Sequence, residues 1–260
     1  MPLHMVPPNS KKDASVKSDR PRCKTGIDTL DAILNGGIPR GNTVLITGSC
    51  GTGKTTTSLE FLVHGALYGE NCLFVSVTET SEKLLANLIP YEFFGEDLLK
   101  KGKLIFIDMP AIYERLGLQK SEFSFEEIDL LVNAIGDIVK ELKIKRLVVD
   151  SVTSVCFQLK TEEKIRDFIL KLGKKLSHLG CTSLLVSEIL PSDARYSTYG
   201  VEEAIADGII LMGNNERRGD LLRTLQVVKM RGTSHSRAKY VLDLTPIGVL
   251  LVPMLKGGGD

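Results

Sequence analysis

Short apolar segments of strand length recur along the chain and alternate with longer stretches in which apolar residues follow the helical period. The segments of the first kind are apolar almost throughout, as expected for parallel strands covered on both faces. They are residues 43–47, 72–77, 103–108, 146–150 and 182–187. Residues 126–142 and 165–176 instead place their apolar side chains on one helical stripe. This alternation predicts a doubly wound α/β fold, with a mostly parallel twisted sheet and helices on both faces.

The pattern changes after residue 206, where four apolar segments follow one another with only short turns between them. Such spacing predicts antiparallel strands that extend the sheet at the C-terminal end of the chain. The segments are residues 208–212, 221–230, 238–245 and 249–253.

The two ends of the chain lack either periodicity. Residues 1–22 are rich in Pro, Ser, Lys, Arg and Asp, which predicts a disordered N-terminal arm, and residues 256–260 are predicted to form a flexible tail. One domain over residues 23–255 accounts for the remainder.

A phosphate-binding motif lies between the first strand and the first long helical stretch. Residues 48–55 match the pattern G-x-x-x-x-G-K-[ST] in full, in the strand–loop–helix context that the motif requires. Glycines let backbone N–H groups close around phosphate oxygens, and the following helix presents its positive end. Lys54 is predicted to reach the β and γ phosphates of ATP, and the Thr55 hydroxyl to ligate Mg²⁺. The predicted ATP-binding residues are Gly48, Ser49, Cys50, Gly51, Thr52, Gly53, Lys54, Thr55 and Thr56.

A second metal-binding residue is predicted from the strand at residues 146–150, which ends in Asp150. Aspartates at strand ends also serve turn chemistry. Beside a phosphate loop, however, this pattern predicts a carboxylate at the end of a neighbouring strand, where it holds magnesium through water. Thr55 and Asp150 are therefore the expected magnesium residues.

Charge and cysteine content narrow the class of protein. The chain has 33 basic and 32 acidic residues, so no global field attracts nucleic acid or an anionic membrane. Its five cysteines are odd in number and form no Cys-x-x-Cys pair, which argues against a disulfide framework and a structural zinc site. No apolar stretch reaches membrane-spanning length, and the first residues do not match a signal peptide. We expect a cytoplasmic protein without membrane insertion.

The phosphate loop and three further segments, residues 25–42, 199–211 and 229–235, together resemble the KaiC-like branch of the RecA/RadA ATPase superfamily. The similarity is to the single-domain archaeal type, because only one phosphate loop and one Lys-Met-Arg-Gly segment occur. It implies a homo-oligomeric ring, usually a hexamer, with ATP at each subunit interface and cations supplied in trans by the neighbour. Lys229 and Arg231 match the family's cation pair. Thr233 and His235 match positions near the neighbour's nucleotide.

The chain departs from the family at the residue expected to orient the attacking water. The family commonly has two adjacent acidic residues after the second strand, and here Thr78 stands at the first and Glu79 at the second. Glu79 and Lys54 are the candidate catalytic residues, but a shift of one position along a strand turns a side chain to the other face. Glu188, at the end of the strand 182–187, is either a sensor of the γ-phosphate or a cap of the next element.

Three functions follow from these residues. The first is a Mg-ATP-dependent ring ATPase whose slow hydrolysis at subunit interfaces switches a protein signalling partner. The second is a RadA-paralogue accessory factor that binds single-stranded DNA, against which the near-neutral charge argues. The third is a nucleotide-sensing scaffold that does not hydrolyse ATP, which the departure at Thr78 favours.

Overall fold

The computed structural model describes residues 20–115, 128–190, 196–217 and 219–254. Most of the predicted arm and all of the predicted tail 256–260 lie outside these ranges. Arg22, which the sequence analysis assigned to the arm, lies in a short strand instead.

Eleven strands are present among the described residues. They are β1 (Arg22–Cys23), β2 (Ile38–Pro39), β3 (Thr43–Gly48), β4 (Asn71–Ser76), β5 (Leu104–Asp108), β6 (Ile144–Asp150), β7 (Thr182–Glu188), β8 (Gly208–Arg217), β9 (Asp220–Met230), β10 (Lys239–Thr245) and β11 (Gly248–Pro253). β1 and β2 form a separate antiparallel pair, and the other nine strands form one sheet.

The nine-stranded sheet has the order β11-β10-β9-β8-β3-β7-β6-β4-β5. The six strands from β8 to β5 in this order run parallel, and β9, β10 and β11 add an antiparallel edge. The predicted fold class, a mostly parallel sheet with an antiparallel C-terminal extension, is confirmed.

The described helices are α1 (Asp28–Ile33), α2 (Lys54–Leu67), α3 (Ser81–Leu88), α4 (Asp97–Lys100), α5 (Met109–Arg115), α6 (Ile128–Glu141), α7 (Val152–Leu159), α8 (Glu162–His178) and α9 (Glu202–Ile205). The longest of them, α8, shows why its sequence is helical. The Thr161 side chain caps its first turn by accepting from the N–H of Lys164. Glu162 and Glu163 in the first turn and Lys175 in the last turn also complement the helix dipole.

The sheet separates two apolar layers because successive residues of a strand point to opposite faces. In β3, Val44 and Ile46 pack in the layer that contains α2, whereas Leu45 packs in the layer formed with α6, α7 and α8. Both layers are almost completely buried. No helix in the described ranges is both long and apolar enough to cross a membrane.

The place of β6 in the sheet differs from what the sequence suggested. β6, which ends in Asp150, is not the direct neighbour of β3, because β7 is hydrogen-bonded between them. β9 ends at Met230, the last residue of the predicted segment 221–230, so Lys229 lies on the strand and Arg231 lies just beyond it. The sequence does not encode strand order locally, and the β9 end depends on a pairing with β8.

Candidate functional site

The carboxyl ends of four adjacent parallel strands form one row at the same edge of the sheet. Gly48 at the end of β3 pairs with Glu188 of β7, while Asp150 of β6 pairs with Val186 of β7 and with Ser76 of β4. Ligands of open parallel sheets bind at this edge. The row therefore brings the predicted loop, Asp150, Glu188 and the segment after β4 to one place.

The backbone of the loop is shaped by its glycines. Gly51 and Gly53 have φ values of +76° and +94°, in the left-handed region that favours glycine. A Cβ added to Gly51 would meet no heavy atom within 4 Å, whereas one added to Gly48 would lie 2.1 Å from the carbonyl oxygen of Met212. The loop is thus anchored tightly at Gly48 and open at Gly51, as a cradle for phosphate requires.

Lys54 is the first residue of α2, and its side chain folds back over the loop. Its Nζ donates to the carbonyl oxygens of Gly48 and Ser49, both at 2.8 Å, and the residue is 7% exposed. Burial lowers the pKa of Lys54, while the carboxylates of Glu188 and Asp150 oppose that shift. The ammonium group is therefore held where an anionic ligand of the loop would be.

Thr55 and Asp150 lie in direct contact. The Thr55 hydroxyl donates to Oδ2 of Asp150 at 2.7 Å, across 95 positions of sequence. Burial raises the pKa of Asp150, although this hydrogen bond and the charge of Lys54 act in the opposite direction. A hydroxyl and a carboxylate are hard oxygen donors of the kind that magnesium prefers, with water and phosphate filling its other positions. In the described ranges no cluster of three His, Cys, Asp or Glu residues offers an all-protein metal site.

Glu79 lies in the loop between β4 and α3, so the alternation of a strand does not fix its direction. Its Oε1 accepts from Nζ of Lys83 at 3.0 Å, and its main chain is held by the Ser76 hydroxyl. Its charge contributes to the raised pKa of Asp150, which places the two carboxylates within electrostatic range. The Thr78 side chain beside it is exposed.

Glu188 is the last residue of β7 and lies beside the loop. Its N–H donates to Thr153 Oγ1 at 2.9 Å, and the next N–H, of Ile189, donates to the Gly48 carbonyl oxygen at 3.3 Å. Its side chain is exposed, and its charge is the strongest one opposing the lowered pKa of Lys54.

The predicted trans-acting cations do not join the loop of their own chain. The strand pairing puts Met230 level with Gly208 and Val44, so Arg231 lies at the opposite end of β3 from Gly48. Four residue steps along a strand correspond to roughly 13 Å. The two cations contact α9 instead of the phosphate loop.

Thr233 and His235 lie in the loop after Arg231, which packs on the end of α1. Thr233 Oγ1 donates to the carbonyl oxygen of Leu34 at 3.3 Å, and the N–H of Ser236 donates to that of Ile33 at 3.1 Å. The His235 ring contacts the carbonyl oxygen of Ser236 at 3.3 Å. The four residues matched to the family's trans-acting positions therefore lie against two elements, α9 and the end of α1, and among the described residues no hydrogen bond joins them to the phosphate loop.

Arg223 is a residue of the site that the sequence analysis missed. It lies on β9, and its Nε donates to the carbonyl oxygen of Gly51 at 2.9 Å. This contact brings a guanidinium group against the open part of the loop. The two residues are 172 positions apart, and no motif marks Arg223. Only the folding of the β8–β9 hairpin against β3 reveals the contact.

Comparisons with known proteins agree with this architecture. The family model described as "ATPase: KaiC" matches residues 23–256. A UPF0273 protein of Thermotoga maritima is 36% identical over 243 residues, which are 92% of this chain and 98% of that protein. The circadian clock oscillator protein KaiC of Synechococcus elongatus is 31% identical over 257 residues, and the match covers 47% of that longer protein.

A solved structure shows the same fold. The crystal structure of a KaiC-like protein from Pyrococcus horikoshii OT3 matches 90% of this chain and 99% of that one, with 35% identity and a TM-score of 0.76. The family predicted from the loop, residues 25–42 and the Lys-Met-Arg-Gly segment is thereby confirmed, and the chain belongs to the KaiC family of RecA-like ATPases.

Proposed function

We propose that this protein is a Mg-ATP-binding ring ATPase in which each site forms between two copies of the chain. The observation that carries the proposal is the separation of two half-sites. Lys54, Thr55 and Asp150 meet at the carboxyl edge of the sheet, while Lys229 and Arg231 lie at the other end of β3. This separation supports a site in which a neighbouring chain brings the cations to the phosphate loop.

Each residue has a distinct part in this site. The loop from Gly48 to Thr55 would hold the phosphates through backbone N–H groups, and Thr55 and Asp150 would hold Mg²⁺, directly and through water. Bound magnesium neutralises charge on the phosphates. Lys54 would bind the β and γ phosphates from its own chain, and the neighbour's Lys229 and Arg231 would stabilise charge on the γ phosphate. Glu79 is the candidate group to orient and deprotonate water.

The proposed assembly is a homo-oligomeric ring, with a hexamer as the expected size, that switches a protein signalling partner according to its nucleotide state. All five cysteines are free thiols, and only Cys50 is exposed. This supports a reducing, cytoplasmic setting.

Phosphate release under saturating Mg-ATP, with oligomer mass recorded in the same samples, tests the proposal. We expect slow turnover by the wild type and its loss in Lys54→Ala and Arg231→Ala. Lys54→Ala is expected to lose nucleotide binding, whereas Arg231→Ala is expected to bind ATP and fail to cleave it. A wild type that neither binds ATP nor assembles would refute the proposal.

A second candidate, a nucleotide-sensing scaffold without hydrolysis, is favoured by the segment after β4. Thr78 cannot act as a base, and Glu79 is paired with Lys83. The Glu79→Gln variant separates the two functions. If Glu79 is the base, turnover falls by about 10²–10⁴-fold while ATP binding is kept. If the protein is a scaffold, the wild type assembles with ATP but releases no phosphate, and Glu79→Gln behaves identically.

A further inference from the structure

The short helix α9 is the element that holds the two trans-acting cations on their own chain. Nζ of Lys229 donates to the carbonyl oxygens of Glu203 and Ala204, at 3.1 and 3.5 Å. The Arg231 guanidinium donates to those of Ala204 and Ile205, both at 3.4 Å. Carbonyls at the end of a helix lack intrahelical partners, so these side chains complete the last turn of α9.

Arg231 is also held by Asp207, the residue that connects α9 to β8. The main chain of Arg231 donates to the Asp207 carbonyl oxygen at 2.8 Å, and its guanidinium donates to Oδ1 at 3.4 Å. The other carboxylate oxygen of Asp207 accepts from the N–H of Thr43, the first residue of β3. Even so, the Arg231 side chain remains 54% exposed, which leaves it accessible to a neighbouring copy.

Glu202, the first residue of α9, has a fully buried side chain. It is 0% exposed, and neither of its carboxylate oxygens has a hydrogen-bond partner in the part of the chain that the structure describes. Buried polar groups in native proteins are nearly always paired, and an exception calls for an explanation. Leaving such a group unpaired disfavours the arrangement that buries it.

Two groups among the described residues interact electrostatically with Glu202, and neither is a cation. Cys156 of α7 and Tyr199 lie within electrostatic range, but burial raises the pKa of both, and the Glu202 carboxylate raises it further. Both groups are therefore neutral at physiological pH. The same apolar layer contains Cys156, Leu159 and Val201. The two cations thus stabilise the observed position of α9 at its C-terminal end. The buried carboxyl group of Glu202 destabilises that position at its N-terminal end.

We propose that Glu202 is a positioning residue for the trans-acting cations. By destabilising the observed position of α9, Glu202 allows Lys229 and Arg231 to leave α9 and bind a neighbour's γ-phosphate. In the docked position, as observed, the cations bind the α9 carbonyls. In the released position the carboxylate of Glu202 gains water or a polar partner, and the cations are free to bind phosphate. The unpaired carboxylate narrows the free-energy difference between the two positions. This inference rests on the proposed function.

The test is the substitution Glu202→Met, which replaces the carboxyl group by an unbranched apolar side chain of similar length. Replacing a buried polar group that has no hydrogen-bond partner by an apolar group removes its desolvation cost, so we expect the thermal midpoint without nucleotide to rise by about 2–4 °C. Because α9 then stays docked, we expect kcat for ATP to fall by about fivefold, with KM unchanged. Glu203→Met is the matched control, since Glu203 accepts a hydrogen bond from the Tyr196 N–H at 2.6 Å. The control should lower the midpoint.

Higher stability together with a lower kcat in Glu202→Met supports the inference, because a merely structural residue would not couple the two in opposite directions. A lower midpoint would show that the carboxylate has a stabilising partner, and an unchanged kcat would show that it does not position the cations. Either result overturns the inference. If the wild type neither binds nor cleaves ATP, the proposed function fails instead. The change in thermal midpoint of Glu202→Met then still shows whether the carboxyl group has a stabilising partner.

Discussion

At the scale of single residues, burial at the carboxyl edge of the sheet shifts pKa values against the charged forms of the side chains. Asp150 is the clearest example, because burial raises its pKa in the folded protein above the ordinary value. A carboxyl group with a raised folded-state pKa stabilises the fold below its unfolded-state pKa. That contribution is lost as the pH rises through the folded-state pKa.

Asp150→Asn is therefore expected to be more stable than the wild type at neutral pH without magnesium. The amide keeps an acceptor for the Thr55 hydroxyl but cannot ionise. We expect a rise of about 2–4 °C in the thermal midpoint, which shrinks as the pH falls towards about 4, the ordinary pKa of an aspartate. Paired unfolding curves from pH 4 to 8 measure it. A variant that is less stable at every pH would contradict the assigned direction.

Thr55 allows the magnesium site to be tested with two nearly isosteric changes. Thr55→Ser keeps the hydroxyl that donates to Asp150, and Thr55→Val removes it. Thr55→Val removes a proposed oxygen ligand of Mg²⁺, and since even the groups that orient metal ligands contribute about 10–100-fold in affinity, we expect Mg-ATP binding to weaken by roughly tenfold or more. Titration of a fluorescent ATP analogue with and without Mg²⁺ measures this. Thr55→Ser should keep the magnesium dependence, and its loss in both variants would point to another cause.

At the scale of elements, an ion cluster centred on the buried Arg146 joins β6 to α2 and to the loop between α2 and β4. Arg146 of β6 is 1% exposed, donates to Glu70 and to the carbonyl oxygen of Phe61, and lies over the Phe61 ring. Arg40 also donates to Glu70. Burial alone would raise the pKa of Glu70, but the hydrogen bonds and charges of both arginines lower it below its ordinary value.

Removing one partner of this cluster should be more damaging than removing both. We expect Glu70→Leu to destabilise the protein by about 3–5 kcal/mol, because it leaves the Arg146 charge buried, and to lower the thermal midpoint by roughly 10 °C. The double variant Glu70→Leu/Arg146→Met should recover much of that loss. Chemical denaturation of the wild type, Glu70→Leu and the double variant checks the order, and a double variant less stable than Glu70→Leu would reject it.

Elements differ in how far the sequence alone could predict them. β3, the loop and α2 follow one another in the chain, so a local motif suffices to predict all three. The Asp150 carboxylate was predicted from its strand, but the insertion of β7 between β3 and β6 depends on long-range pairing. The contact of Arg223 with Gly51 and the burial of Arg146 likewise depend on residues far away in sequence. Local periodicity carries no information about such partners.

At the scale of the whole molecule, the two half-sites at the ends of β3 predict complementation between inactive variants. Lys54→Ala lacks a working loop but keeps its cations, and Arg231→Ala has the opposite defect. If equal amounts exchange freely before assembly, roughly a quarter of the interfaces combine an intact loop with intact cations. We expect about that fraction of wild-type phosphate release from the mixture and almost none from either variant alone.

The control for this experiment is a mixture of Lys54→Ala with the double variant Lys54→Ala/Arg231→Ala. It contains no intact loop and should stay inactive under the same exchange conditions. Lack of recovery in the first mixture, with assembly intact, would mean that Lys54 and Arg231 act in the same chain.

Gly48 and Arg231 lie at opposite ends of β3, and this placement predicts how the turnover rate depends on protein concentration. A head-to-tail arrangement closes only when the last copy meets the first, so an open row of any length always has one incomplete site at its ends. An isolated copy therefore has no complete site. Phosphate release per chain should then fall on dilution and level off once closed assemblies dominate, so that catalysis itself reports the concentration of the protein.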